Sequence, residues 1–235
     1  SIKVAVDMAM HGLVQGIVTG PICKQSLQLA GCPHAGHTEL LAELGKVKRT
    51  VMMLANAKLR VVLVTTHIPL KDVAKEITCD HVLETIEITT QTFQRFGWGT
   101  PRLGVLGLNP HSGEQGTIGT EEDVEIIPAV TEARRRGCVC LGPIPADTAF
   151  HRALNGEFDV VVAMYHDQGI GPLKTLSFSD VINVTLGLPF IRVSPGHGTA
   201  FDISGTGTAN PASMKLALET AVDLCARMPT ESSDK

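Results

Sequence analysis

The stretch Asp159-Val160-Val161-Val162-Ala163-Met164-Tyr165-His166 decides how the rest of the chain is read. After its leading acid it is apolar through Met164, β-branched at three successive positions, and too short for a helix. That combination predicts a buried strand over Asp159–Met164. The strand runs almost directly into a histidine. Two other runs do the same: Arg60-Val-Val-Leu-Val-Thr-Thr66 precedes His67, and Gly104-Val-Leu-Gly-Leu-Asn-Pro110 precedes His111.

Working outward, strand-like and helix-like segments alternate. Strands are predicted at Gly16–Thr19, Val51–Ala55, Leu59–Thr66, Arg102–Leu108, Val139–Leu141, Val181–Thr185 and Phe190–Val193. Helices are predicted at Ile2–Leu13, Lys24–Ala30, His37–Leu44, Pro69–Ile77, Val82–Phe96, Thr148–Leu154 and Pro211–Cys225. A further helix is expected from Glu121 to Arg136, capped by Thr120, with its acids at the positive end of the dipole. Such alternation argues for an α/β fold with a largely parallel sheet. The polar tail Pro229–Lys235 is expected to fray.

Composition narrows the function. The chain has 235 residues, 43% hydrophobic and 19% charged, an ordinary globular mixture rather than a disordered one. Its net charge of −4 argues against a nucleic-acid partner. No apolar run approaches a membrane span, and no signal peptide opens the chain. The six cysteines are scattered through periodic segments, not set out as a disulfide framework, so a reducing cytoplasm is expected.

Aromatic residues are few, yet there are nine histidines. In open α/β sheets ligands bind at the carboxyl ends of the strands. One histidine at a strand end is usually a polar crest residue, but His67, His111 and His166 share that placement. Three neutral imidazoles also form a common catalytic metal set. Asp167 is a further ligand or the group that orients His166. The same edge carries Thr19-Gly20-Pro21 with Lys24 one turn on. Asp147, in Pro145-Ala-Asp-Thr148, is a helix cap or a catalytic acid with equal weight. His37 and Thr38 open a helix whose free N–H groups favour an anion. Lys174 and Arg192 stand among apolar neighbours and need a partner, either a structural carboxylate or an anionic substrate. The glycine-rich stretches after Gly196 and Gly205 match neither a Rossmann fingerprint nor a Walker-A loop.

Several motifs together are more specific. Gly36-His-Thr-Glu39, Asn109-Pro-His-Ser-Gly-Glu114, Pro145-Ala-Asp-Thr148, Met164-Tyr-His-Asp-Gln168, Asn183-Val-Thr-Leu-Gly-Leu-Pro189 and His197-Gly-Thr-Ala200 occur in this order. From about Ile2 to Arg227 the chain resembles the 4-hydroxythreonine-4-phosphate dehydrogenase (PdxA) family. That resemblance implies an isocitrate/isopropylmalate-dehydrogenase-like fold, with two lobes around largely parallel mixed sheets, residues 1–235 forming a single two-lobed catalytic region. It also implies a homodimer with a shared active site, NAD (or NADP), and a divalent metal, zinc first, with Mg, Mn or Co as alternatives. The metal ligands it implies are His67, His111 and His166. Its substrate residues are His37, Thr38, Lys174, Asn183 and Arg192, and its dinucleotide residues are Asn183, Leu186, Gly187, His197, Gly198 and Thr199. Asp147 and Lys174 are the candidates for proton transfer.

The implied reaction is oxidation, with decarboxylation, of 4-phosphooxy-threonine in pyridoxal 5'-phosphate biosynthesis. Dehydrogenation of 4-phospho-threonate, 4-phospho-erythronate or a cis-dihydrodiol dicarboxylate is the alternative. Two departures from the family pattern stand out. Gly196 precedes His197 where members often have Asp, and the Gly-Asp-Pro-x-Gly-Ile-Gly-Pro-Glu segment that members usually carry near their start is absent. The second leads to the expectation that the first strands of one lobe are missing. It also keeps open a reading of another class, a shortened metal- or ligand-binding protein without turnover.

Overall fold

The computed structural model describes residues 1–31, 33–34 and 36–228; the tail expected to fray lies outside the described residues. In chain order the elements are α1 (Ile2–Met10), β1 (Gly16–Val18), α2 (Lys24–Leu29), α3 (His37–Leu44), β2 (Val51–Ala55) and β3 (Arg60–Leu63). Next come α4 (Val73–Glu76), α5 (Cys79–Arg95), β4 (Leu103–Leu106), α6 (Ile127–Arg135), β5 (Cys140–Ile144), α7 (Ala146–Leu154) and β6 (Val160–Ala163). The last are α8 (His166–Leu176), β7 (Ile182–Leu186), β8 (Ile191–Pro195) and α9 (Ala212–Arg227).

The eight strands among the described residues form one mixed sheet in the order β1-β8-β7-β2-β3-β6-β4-β5. One end is a parallel run, β3, β6, β4 and β5. At the other end β1 and β8 are parallel. Antiparallel pairings through β2 and β7 join the two groups. The alternation read from the sequence therefore produces a sheet that is parallel in four of its seven pairings.

Each face has its own cover. Met53, Val62, Val105, Val162, Val184 and Val193 point into the larger core, beneath α5, α6 and α9. Leu54, Val61, Leu63, Val161 and Ala163 point the other way, where α7 and α8 pack. On β7 and β8 this second face changes character: its continuation is Asn183, Thr185, Arg192 and Ser194. A smaller cluster of Val6, Ile17, Leu41, Leu188 and Phe190 seats α1 and α3 beyond that polar strip.

The elements depart from expectation in four places. The helix expected from Glu121 starts as a π turn over Glu122–Ile126 and becomes regular only at Ile127. Thr120 does not cap it, the cap position being Glu121 with no side-chain cap bond, and Glu122 is turned inward and buried instead of decorating the dipole. The segment 69–77 is a 3-10 turn followed by the short α4. The strand expected at Val139–Leu141 runs on to Ile144. Finally, α8 has no counterpart among the sequence-based expectations. Two glycines and Pro172 obscure its periodicity, yet it is an eleven-residue helix.

Candidate active site

The three histidines occupy equivalent places. β3, β6 and β4 are neighbours in that order and run parallel, and His67, His166 and His111 follow their carboxyl ends. The rings of His67 and His166 meet, with centroids 5.7 Å apart. His166 opens α8, and its Nδ1 lies 2.6 Å from Asp167 Oδ1. A proton on Nδ1 donated to that carboxylate leaves Nε2 free to ligate, the orienting role anticipated for Asp167. Partial burial lowers the pKa of His67, and Lys24 and His166 lower it further, while Glu39 opposes them. The shift favours the neutral imidazole, the form a metal binds.

His111 is held differently. It sits on a tight turn with φ of +53°, as does Ser112. Such conformations are costly for residues with a side chain and mark turns that their surroundings over-determine. Among the described residues no three side chains of His, Cys, Asp or Glu already converge as a metal-binding group. The donor chemistry still fits a divalent metal: two imidazoles in contact, one with a carboxylate behind it, and a third on the adjoining strand end.

The polar strip on β7 and β8 is the second half of the site. Arg192 is only 3% exposed. Its Nη1 donates to Thr185 Oγ1 (3.0 Å) and its Nη2 to Thr19 Oγ1 (2.8 Å), while Nε has no partner. No carboxylate pairs with it among the described residues, and burial alone lowers its pKa to about 10. His37, in the first turn of α3, places Nδ1 3.4 Å from Arg192 Nη2. A guanidinium only donates, so Nδ1 is the acceptor and the ring is neutral. Burial, then the Arg192 charge, lowers the His37 pKa to about 4. The strip thus holds a buried cation short of one counter-charge. Asn183 lies on the same face, and its Oδ1 is also buried without a partner.

Thr38 lines a cavity of about 510 Å³ whose wall also includes Glu39, Lys48, Arg49, Thr65 and His67. A neighbouring hollow shares His67 and adds Tyr165, His166 and Asp167. The start of α3 is thereby connected to the histidine edge.

Other expected residues lie farther off. Lys174 is in the last turn of α8, eight residues from His166 and so about 12 Å along the axis. It is half-buried, with Nζ 5.4 Å from the centre of the Phe178 ring. Asp147 is in the first turn of α7, exposed, and makes no capping bond; the cap position belongs to Pro145. The dinucleotide residues do not gather at one point. Leu186 and Gly187 end β7 at the histidine edge, whereas His197, Gly198 and Thr199 follow β8, which runs the opposite way and ends at the other edge. His197 is exposed, with Nδ1 2.9 Å from the Gly198 carbonyl oxygen. The five cysteines among the described residues are free thiols. No helix of the described residues is long and apolar enough to cross a membrane.

Sequence reasoning missed Thr185 as a partner of Arg192. The signal was available only as register, since a threonine in an apolar strand looks like any other β-branched residue.

Fold and site together define an α/β protein that gathers three histidines at the carboxyl edge of neighbouring parallel strands and keeps a buried guanidinium without a carboxylate partner among the described residues. The profile of the family described as pyridoxal phosphate biosynthetic protein PdxA matches residues 1–221, and the chain belongs to that family. A 4-hydroxythreonine-4-phosphate dehydrogenase of Geobacter metallireducens is 51% identical over 220 residues, covering 94% of this chain and 65% of that protein. A protein of Oceanobacillus iheyensis, provisionally named D-threonate 4-phosphate dehydrogenase, is 46% identical over 224 residues, 95% of this chain and 68% of its own. The chain therefore spans about two thirds of the length of these relatives. The crystal structure of a 4-hydroxythreonine-4-phosphate dehydrogenase from Klebsiella pneumoniae superposes with a TM-score of 0.88 at 44% identity, covering 95% of this chain and 69% of that one. A β-decarboxylating dehydrogenase from Thermococcus kodakarensis shares the fold alone, with a TM-score of 0.55 at 15% identity, covering 94% of this chain and 79% of that one.

Proposed function

We propose that this chain carries the catalytic residues of an NAD-dependent, zinc-assisted dehydrogenase. Its substrate is 4-hydroxy-L-threonine 4-phosphate, oxidised at a secondary alcohol with loss of carbon dioxide, in pyridoxal 5'-phosphate biosynthesis. The observation that carries this reading is the placement of His67, His166 and His111 on the carboxyl ends of three adjacent parallel strands. Those three residues would hold the metal, which when bound supplies Lewis acidity to the alcohol oxygen. NAD supplies the hydride acceptor.

The chain's own residues do the rest. Arg192, lacking a carboxylate, takes an anionic group of the substrate, and Lys174 takes another. Neutral His37 accepts from Arg192 and keeps the guanidinium pointed into the strip. Thr38 and Asn183 offer neutral hydrogen bonds beside it. Asp147 and Lys174 are the two groups for moving the alcohol proton. The active unit is a homodimer in the cytoplasm, with the site shared between copies.

A second reading, oxidation of a 4-phospho-threonate, draws support from the Oceanobacillus relative. A substrate panel followed by NADH absorbance separates the two. The chain with intact histidines should bind zinc and turn over one phosphorylated hydroxy-acid. Single His67→Ala, His111→Ala and His166→Ala variants should each lose metal and turnover. If all three keep both, the site assignment is wrong.

A further inference from the structure

The ends of β3, β6 and β4 are tied together by side chains to which the proposed chemistry gives no part. Thr65, past the end of β3, donates its Oγ1 hydrogen to the Met164 carbonyl at 2.7 Å, and its backbone N–H donates to the same oxygen at 3.1 Å. Two residues after His166, Gln168 reaches back across the sheet edge. Its Oε1 accepts from Met164 N–H (2.7 Å), and its Nε2 donates to the Gly107 carbonyl (2.8 Å) at the end of β4. The chain then enters the turn that carries His111, and there Glu122 takes over. Its Oε1 accepts from the N–H groups of Leu108 and Asn109, both at 2.7 Å, and its Oε2 accepts from Asn109 Nδ2 at 2.9 Å.

Glu122 is 1% exposed, so these donors are what makes a carboxylate tolerable there. Glu122 opens the π turn of Glu122–Ile126, and its side chain faces the strand end rather than solvent. The space around it is full. A Cβ at Gly113 would lie 2.6 Å from Glu122 Oε2, and one at Gly119 would lie 2.5 Å from Asn109 Nδ2.

We propose that Gln168 and Glu122 are positioning residues for the three-histidine set, with Thr65 completing the tie between strand ends. This rests on His67, His111 and His166 being the metal ligands. A metal site needs its donors held to within about 0.5 Å, and loop residues do not hold themselves that well. His67 and His111 lie on loops that follow β3 and β4, and the Thr65–Met164–Gln168–Gly107 chain is what sets those loops against the start of α8. Glu122 then fixes the strained turn at His111.

The test is zinc affinity of the full chain, read by competition with a chromophoric chelator, beside urea unfolding of the stripped protein. Gln168→Met removes both bonds at nearly constant length. Glu122→Gln brings an amide N–H against donors. Each is expected to weaken zinc binding by about 10-fold or more, within the range typical when groups behind a metal ligand are changed. Thr65→Val, nearly the same shape, should give a smaller loss in the same direction. Asp159→Asn loosens the Arg102 clamp at the opposite ends of β4 and β6 and should leave zinc affinity unchanged. Wild-type affinity in all three positioning variants, alongside loss in His67→Ala and His166→Ala, overturns this inference and leaves the metal site standing. Undiminished zinc binding in the histidine variants overturns the metal site and the inference together. An Asp159→Asn loss equal to that of Gln168→Met also overturns it, since the effect would then be general destabilisation. Should Gln168→Met or Glu122→Gln fail to fold, Thr65→Val decides.

Discussion

At the scale of single residues, the pair Arg192 and His37 carries the most chemical information. Isolated buried cations are unfavourable, and proteins rarely keep one without a use for it. Here the guanidinium holds two threonine hydroxyls and a neutral imidazole, and its Nε is left without a partner. His37 makes this pH-sensitive. Its pKa in the folded chain, lowered to about 4, lies below the ordinary histidine value of 6.5. Between those values the unfolded chain binds a proton that the folded chain does not, so folding stability falls as pH drops through that window. Urea midpoints taken from pH 7 to pH 4.5 should fall in the wild-type chain, and His37→Asn should flatten that part of the decline. An identical slope in the variant would show that His37 is not the group responsible. Arg192 and His37 were both legible in the sequence, as a charge among apolar neighbours and a helix-start residue. Their contact was not, because 155 positions separate them.

At the scale of elements, α8 is where reading the sequence was least successful. Gly169, Gly171 and Pro172 are poor helix formers, and propensity alone argues against a helix there. Packing outweighs propensity. A Cβ at Gly169 would stand 2.6 Å from Val61 Cγ1 and 3.0 Å from Ala163 Cβ, so glycine is what lets α8 lie close on β3 and β6. Gly169→Ala should cost about 1–3 kcal/mol from overpacking, even though alanine is the better helix former. Urea unfolding measures this, and a neutral or stabilising result would show that α8 shifts at no cost. The π turn at Glu122 belongs to the same class of surprise. Acids after Thr120 look like ordinary dipole partners, whereas in the fold one of them goes inside to accept the N–H groups of Leu108 and Asn109. By contrast, α3 and β2 match the expected spans residue for residue, because clean apolar periodicity and a glycine before α3 mark their ends.

At the scale of the whole molecule, the sheet collects the site. Metal binding to the folded form alone raises stability by about 2.7 kcal/mol at a free concentration 100 times Kd. At roughly 2–4 °C per kcal/mol for a chain of this size, zinc should raise the melting temperature by about 5–10 °C. Calorimetry with and without a chelator measures the rise. It should vanish in His67→Ala and His166→Ala; a rise that persists in both would place zinc elsewhere.

By itself the sequence determined the α/β class, the strands that matter and the identity of the three strand-end histidines, because β-branched runs and chain direction are local properties. Their equivalence depended on β3, β6 and β4 becoming parallel neighbours, and only the tertiary structure decided that. It also decided that Leu186 and His197 fall at opposite edges, since β7 and β8 run antiparallel. Register and strand order arise from burying two faces at once, and no single stretch of chain contains that information.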